Sequence, residues 1–363
     1  MNLNYTEEQI MLREQIQKFC ESDYDFYKRE EVVKSDKNFD SEVWKLFSEQ
    51  GWLSMPFSEE SGGLGFGSIE LSILFEEFGK ALIIEPYLST IVLSGTLIDK
   101  SNFANKNELI EKITMGDIHI SLAYAEPSKG YDYFDNDTVL VNNKLNGTKT
   151  LVLNGINANK IIVSCSLEDQ LALVLVDTNA DGVSINSYNT VDGQSCSEIT
   201  FENTNIDNNS IIAKSDDAQN LLIETLNLAT LCVCAEGVGC MESAYLKTVE
   251  YTKGREQFGQ PISNFQVLQH RMVDMFVETE LAKSLLIKAM LEVNANSKDK
   301  FKHVSALKYH IGKSGKLSAK EAVQLHGGMG VSEEMMIGHY LKKMIAIDAL
   351  FGNANFHLDR FTN

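Results

Sequence analysis

Proline is scarce in this chain, with four in 363 residues. Pro56, Pro86, Pro127 and Pro261 all fall in segments that read as connections, so nothing interrupts long helices elsewhere. Basic charge is also scarce: 32 Lys and Arg stand against 51 Asp and Glu, a formal net charge of −19. A field of that sign repels nucleic acid and anionic lipid. A phosphate-bearing ligand would need local arginines and backbone N–H groups. The six cysteines form no CxxC pair, and no histidine stands at zinc-ligand spacing. Reduced, mostly buried thiols and no metal are expected. The longest apolar stretch, 81–98, is broken by Glu85 and Pro86 and does not read as a membrane span. Met1 to Glu8 has neither the basic segment nor the apolar core of a secretory leader. A cytoplasmic protein is expected, binding neither nucleic acid nor membrane.

Thr6-x-x-Gln9 has the form of a capping box and opens a helix. The helical rhythm continues to about Gly116. Ser41 to Gln50 carries Val43, Leu46 and Phe47 on one face and stops at Gly51. Ser68 to Gly79 reads as a helix closed by a glycine C-cap. The glycines from Gly62 to Gly67 do not fit G-x-G-x-x-G and read as a flexible loop. From about Ile118 short runs appear, at 118–125, 138–141, 148–153, 160–164, 171–176 and 198–201. Turn signals stand between them at Asn146-Gly147, Asn154-Gly155 and Asp192-Gly193. This spacing predicts a small antiparallel barrel or sandwich. After Asp217 the helical pattern returns. Residues 218–253 hold no proline and only Gly237 and Gly239, enough for about 50 Å of helix at ~1.5 Å per residue. Segments 265–293 and 303–326 share that character, as helices of a bundle do. The order is helices, strands, helices, without βαβ alternation. It divides the chain at 1–117, 118–213 and 214–363.

Two segments carry candidate chemistry. Arg255-x-x-Phe258-Gly259-x-Pro261 lies between two long helices. An arginine at a helix exit beside a glycine loop can meet a diphosphate by charge and by backbone N–H groups, and Phe258 can lie against an aromatic ring system. A surface ion pair beside a turn fits the same residues. Gln324-Leu325-His326-Gly327-Gly328-Met329-Gly330 ends a helix with paired glycines, which alone is a C-cap.

Together these segments resemble the acyl-CoA dehydrogenase family, and the likeness runs from about Tyr5 to Arg360. It implies an α+β multidomain fold with an N-terminal all-α domain, a central β-barrel and a C-terminal four-helix bundle, and FAD as cofactor. It also implies that Arg255, Phe258, Ile262, Phe265, Gln266 and Leu268, with Gln324, Gly327 and Gly328, clasp the FAD of a neighbouring subunit. The strand-rich region departs from the family. Ala125 stands where the family has a flavin-contacting threonine, and Tyr131 where it has a serine. Leu151 stands where it has an aromatic ring, and Leu153 where it has a hydroxyl.

The family's chemistry takes a proton from Cα of an acyl-CoA thioester with a glutamate while a β-hydride passes to flavin. Counted on from Gly330, that glutamate falls on Phe351, within Leu350-Phe351-Gly352-Asn353, and the family's second base position falls on Ala229. Two acids lie near in sequence. Glu236 is about two helical turns beyond Ala229, and Asp348 closely precedes Phe351. Either could be a relocated base. Glu236 also fits a buried charge paired with an Arg or Lys, and Asp348 a paired or capping carboxylate. The stretch from His339 to Gly352 resembles the small subunits of heteromeric acyl-CoA dehydrogenases, pimeloyl-CoA dehydrogenase among them. That implies a hetero-oligomer whose second chain supplies the base, an acyl-CoA substrate, and an electron-transfer flavoprotein as electron acceptor. The alternatives are a self-sufficient homo-oligomer using Glu236 or Asp348, a flavin enzyme of the same fold with other chemistry, and a flavin-free structural or regulatory subunit.

Overall fold

A computed structural model describes residues 5–35 and 37–363. Met1 to Asn4, half of the segment read as lacking a leader, lie outside them. The helices are α1 (Glu7–Ser22), α2 (Phe26–Lys34), α3 (Ser41–Glu49), α4 (Ser68–Ala81), α5 (Thr96–Lys100), α6 (Lys106–Thr114), α7 (Ser215–Gly254), α8 (Gln266–Asn294), α9 (Lys300–His310), α10 (Lys316–His326), α11 (Met336–Ala349) and α12 (Ala354–Thr362). The strands are β1 (Ile120–Ala123), β2 (Val139–Val141), β3 (Lys144–Leu153), β4 (Lys160–Leu167), β5 (Gln170–Asp177), β6 (Val183–Asn189), β7 (Ser195–Asn205), β8 (Ile211–Lys214), β9 (Glu256–Gln257) and β10 (Gln260–Pro261). The chain gathers into two compact units. The first holds residues up to Glu30, Gly67–Ile83 and Thr230–Asn363; the second holds Glu31–Phe66 and Ile84–Ala229.

In the first unit, α1 opens on the expected box. Thr6 Oγ1 accepts from Gln9 N at 3.2 Å, and Gln9 Oε1 accepts from Thr6 N at 3.0 Å. α4 departs from its expected end. It runs past Gly79 and closes on Leu82, which takes φ 57. Gly79 serves a different need, because a Cβ there would lie 2.0 Å from Glu236 O on α7, and one at Gly239 would lie 1.9 Å from Glu76 O on α4. The two helices therefore cross backbone against backbone. Lys80 spans the crossing, 3.0 Å from Glu77 and 2.9 Å from Glu242. The run at 303–326 is not one uniform helix, because a π-turn at Ile311–Gly315 separates α9 from α10. α7 has 40 residues and is apolar enough to cross a membrane by length and composition, but 78% of its most apolar window is buried in the protein.

The second unit holds one eight-stranded sheet, ordered β6-β7-β3-β2-β4-β5-β8, with β1 also on β4. The expectation of a wholly antiparallel arrangement needs correcting, since β1 and β2 both pair parallel to β4. β4 is buried over most of its length, which explains its continuous apolar run. Leu145, Val152, Ile161, Val163, Ile199 and Phe201 meet in the sheet's core. Asn146-Gly147 is not a turn. It lies inside β3 at a register shift against β7. The hairpin turn before it is Asn142-Asn143, at φ 49 and 60, joining Val141 to its partner Lys144. The glycine segment after Ser58 is ordered through backbone bonds rather than loose, with Gly63 N donating to Ser58 O at 2.9 Å and Gly65 N to Phe57 O at 2.8 Å. Five cysteines are buried and Cys20 is half-buried.

Candidate functional site

The first unit brings the two segments with candidate chemistry together. α7 ends at Gly254, and the chain reverses through β9 and β10, where Gln257 pairs with Gln260 and Glu256 with Pro261. The two residues at the tip, Phe258 and Gly259, take φ 56 and 80. Positive φ at both central positions defines a type I′ turn, which suits a two-residue hairpin. Glycine adopts such an angle freely, whereas a bulky residue does so under strain. Phe258 is nevertheless 92% exposed, touching Phe265 edge-on at 6.2 Å. Arg255 is held through its backbone, its N donating to Tyr251 O at 2.9 Å and its O accepting from Ile262 N at 2.8 Å. Its side chain is exposed and makes no hydrogen bond or ion pair among the described residues. Ile262, Phe265 and Leu268 are half-buried below it, and Gln266 is exposed.

The glycine end of α10 stands beside this turn. The Tyr251 ring stacks on His326 at 4.2 Å, and its hydroxyl donates to His326 O at 3.3 Å. Arg271 on α8 also pairs with Glu321 on α10. Burial pushes His326 below the ordinary histidine range, so this contact is made by a neutral ring. Gln324, Gly327 and Gly328 are exposed at the same end. The arrangement offers an unengaged guanidinium, an uncovered aromatic ring and open glycine backbone within one patch. Those groups suit a dinucleotide: charge and N–H for the diphosphate, apolar surface for the rings.

The acid candidates are placed differently. Phe351 is 3% exposed, at φ 59. Its loop is held from below. His357 Nε2 lies 3.1 Å from Phe351 O, and Lys308 Nζ donates to Asp348 O at 3.1 Å and to Gly352 O. Burial and then the Lys308 ammonium bring His357 down to about 3, so the neutral ring donates to Phe351 O from Nε2 and accepts from Ser305 at Nδ1, 3.2 Å away. Burial likewise lowers Lys308 to about 8. Glu236 is 5% exposed and sits 2.9 Å from the Lys343 ammonium, which is also buried. Asp348 accepts from Ala354 N at 3.1 Å through Oδ1 and from Lys316 through Oδ2. Ala229 is fully buried. Sequence reasoning did not reach Lys308, His357 or Lys343. Lys308 and Lys343 lie far along the chain from the groups they hold, and His357, six residues beyond Phe351, reaches back to a backbone oxygen that no spacing rule marks.

In the second unit, Ala125 is buried and bonded to Thr150 through its carbonyl at 2.9 Å. Leu151 takes φ 53 at an irregularity of β3 and is 42% exposed, while Leu153 is buried. None of these three side chains can donate or accept a hydrogen bond. Tyr131 lies 6.4 Å from Tyr133, which in turn lies 4.9 Å from Tyr124. The Glu126 carboxylate meets Lys149 at 2.6 Å and the N–H groups of Asp137 and Thr138 at 2.7 and 3.0 Å. Burial raises its pKa, but these donors outweigh burial and hold it below the usual range.

Three family profiles match the chain: the N-terminal, middle and C-terminal domains of acyl-CoA dehydrogenases, over residues 6–117, 121–204 and 219–362. The chain belongs to the acyl-CoA dehydrogenase family and has its fold, with helical, β and helical regions in that order. Members of this family are FAD-dependent oxidoreductases. The chain is 26% identical over 358 residues to the probable acyl-CoA dehydrogenase YngJ of Bacillus subtilis, covering 94% of this chain and 93% of that protein. Among solved structures it is similar to the steroid ACAD Tcur3481-Tcur3483, with TM-score 0.89, 26% identity, and 98% and 97% of the two chains covered. The ChsE4-ChsE5 complex of Mycobacterium tuberculosis shares the fold, with TM-score 0.91, 23% identity, and 100% and 98% covered.

Proposed function

We propose that this chain is one subunit of a heteromeric, FAD-dependent acyl-CoA dehydrogenase, and that it completes the flavin site of a partner chain. The observation that carries the proposal is the exposed patch formed by Arg255, Phe258, Gln324 and Gly328. An arginine with no side-chain partner among the described residues stands beside a strained, solvent-facing aromatic ring. Both are explained by a ligand held from outside the subunit. Arg255 would meet the diphosphate, and Phe258, Ile262, Phe265, Gln266 and Leu268 would line the adenosine half with Gln324, Gly327 and Gly328. A flavin held there would supply the hydride acceptor.

The chain's own carboxylates argue for a partner that supplies the base. Glu236 is engaged by Lys343, Asp348 by Lys316 and Ala354, and position 351 offers only a hydrocarbon ring. A base must reach a substrate proton with a free carboxylate. An apolar stripe on α8, with Val273, Phe276, Val277 and Leu281 each between 44% and 55% exposed, gives a second chain a surface to cover. The Tcur3481-Tcur3483 and ChsE4-ChsE5 names each join two chains, which agrees with this reading. An electron-transfer flavoprotein would re-oxidise the flavin.

Co-expression tests the proposal. The chain purified alone is expected to be colourless, and to be yellow when made with a dehydrogenase chain that keeps the glutamate. Anaerobic bleaching of that flavin by an acyl-CoA is then expected. A yellow homo-oligomer bleached by an acyl-CoA would refute it.

A further inference from the structure

The second unit carries a cleft that contains none of the flavin-gripping residues and none of the candidate bases. It has a volume of about 610 Å³ and is lined by Lys37, Phe39, Trp44, Lys45, Met115 and His119 among others. Ligand sites for small organic molecules fall in this range.

His119 is 7% exposed and rigidly placed. Its N donates to Asn159 Oδ1 at 2.8 Å and its O accepts from Asn159 N at 2.8 Å. Its ring is edge-on to Phe39 at 4.9 Å and lies 5.0 Å from Trp44. Nδ1 is 3.3 Å from Thr90 Oγ1. Nε2 has no partner among the described residues, so a buried ring presents one unused polar atom at a cleft it lines. Burial, and then the nearby Lys37 ammonium, bring this histidine down to about 4, so the ring is neutral around pH 7. Lys37 is exposed, and its ammonium has no partner among the described residues. Lys45 holds only a loose pair with Glu49 at 3.8 Å, with both side chains in solvent. Among the described lining residues Asp117 is the one carboxylate beside Lys37 and Lys45, so they carry a net positive charge on a chain of net charge −19.

We infer that the cleft binds a small hydroxylated aromatic carboxylate. The ring lies against Phe39 and Met115 above Trp44, the carboxylate meets Lys37, and the hydroxyl meets His119 Nε2. A neutral imidazole suits the hydroxyl, since either tautomer can serve it, and the lysine supplies the charge-assisted bond.

Equilibrium dialysis of the purified protein, with its partner where one is needed for solubility, tests this with 6-hydroxy-2-naphthoate. One saturable site is expected. Lys37→Ala should weaken it at least tenfold, as should replacing the acid by 2-naphthamide. His119→Phe should erase the preference for the hydroxylated acid over 2-naphthoate, and Arg255→Ala should leave binding unchanged. Lys37 is exposed, so its variant tests charge without disturbing the core, and a circular dichroism spectrum checks that. No saturable binding at millimolar ligand, or binding indifferent to Lys37→Ala, overturns the inference.

Discussion

Replacing Glu236 by glutamine separates a structural charge from a chemical one. Glu236 sits 2.9 Å from Lys343, and both side chains are buried where α7 and α11 pack. Glutamine keeps the volume but removes the negative charge that stands 2.9 Å from the Lys343 ammonium in a medium of low dielectric. Breaking a buried pair from one side typically costs about 3–5 kcal/mol. At ~3 kcal/mol the ratio of folded to unfolded protein falls by roughly two orders of magnitude. Removing both charges is a different perturbation. Glu236→Leu with Lys343→Met replaces the pair by hydrocarbon, and such exchanges are often neutral or stabilising by about 1–4 kcal/mol. The expected pattern is a large drop in the urea midpoint for Glu236→Gln and recovery in the double variant. Turnover per bound flavin in the assembled enzyme should stay near wild type in both. The reasoning fails if Glu236→Gln keeps its midpoint but loses turnover while retaining flavin, because the carboxylate would then be acting on substrate.

Four further outcomes are expected. Arg255→Ala should lower flavin retention in the assembled complex by about 1.5–3 kcal/mol, the worth of a hydrogen bond to a charged group, read from the 450 nm absorbance after gel filtration. Phe258→Gly should raise the melting temperature of the isolated chain by relieving φ 56, a strain of about 1–3 kcal/mol, while reducing flavin retention; a drop in both would remove the strain argument. Gly239→Ala should cost about 3 kcal/mol or more, because its Cβ would stand 1.9 Å from a backbone oxygen that cannot swing away. Lys308 titrates near 8 instead of 10.5, so between those values the folded chain binds fewer protons than the unfolded one. Its stability relative to Lys308→Met should therefore rise by about 3 kcal/mol from pH 8 to pH 10.5, measured by urea midpoints across that window.

The elements that were legible in the sequence are those whose signal is local. Thr6 and Gln9 cap each other, and Val43 and Phe47 face one core with Gly51 at φ 75 beyond the helix end. β6 and β8 went unseen because they lie at the two ends of the strand order, and most of β6 faces solvent, so it lacks apolar alternation. Asn146-Gly147 has the composition of a turn but is claimed by the ladder to β7. Asn142-Asn143, a weaker signal, makes the real reversal. Gly79 looked like a stop because glycine often ends helices; its true constraint is the backbone of α7, more than 150 residues away in sequence. The candidate site divides in the same way. Arg255 and Phe258 are neighbours along the chain and could be read together, whereas packing between distant segments brings Lys343 to Glu236 and Lys316 to Asp348.

In the proposed heteromer the outward-facing hairpin would make supply a matter of ratio. A chain that keeps an aromatic ring and a guanidinium in solvent at the tip of β9 and β10 exposes them whenever its companion is short. Surplus copies would then present adhesive tips to one another, so unequal synthesis of the two chains would surface as precipitation well before any shortfall in catalysis.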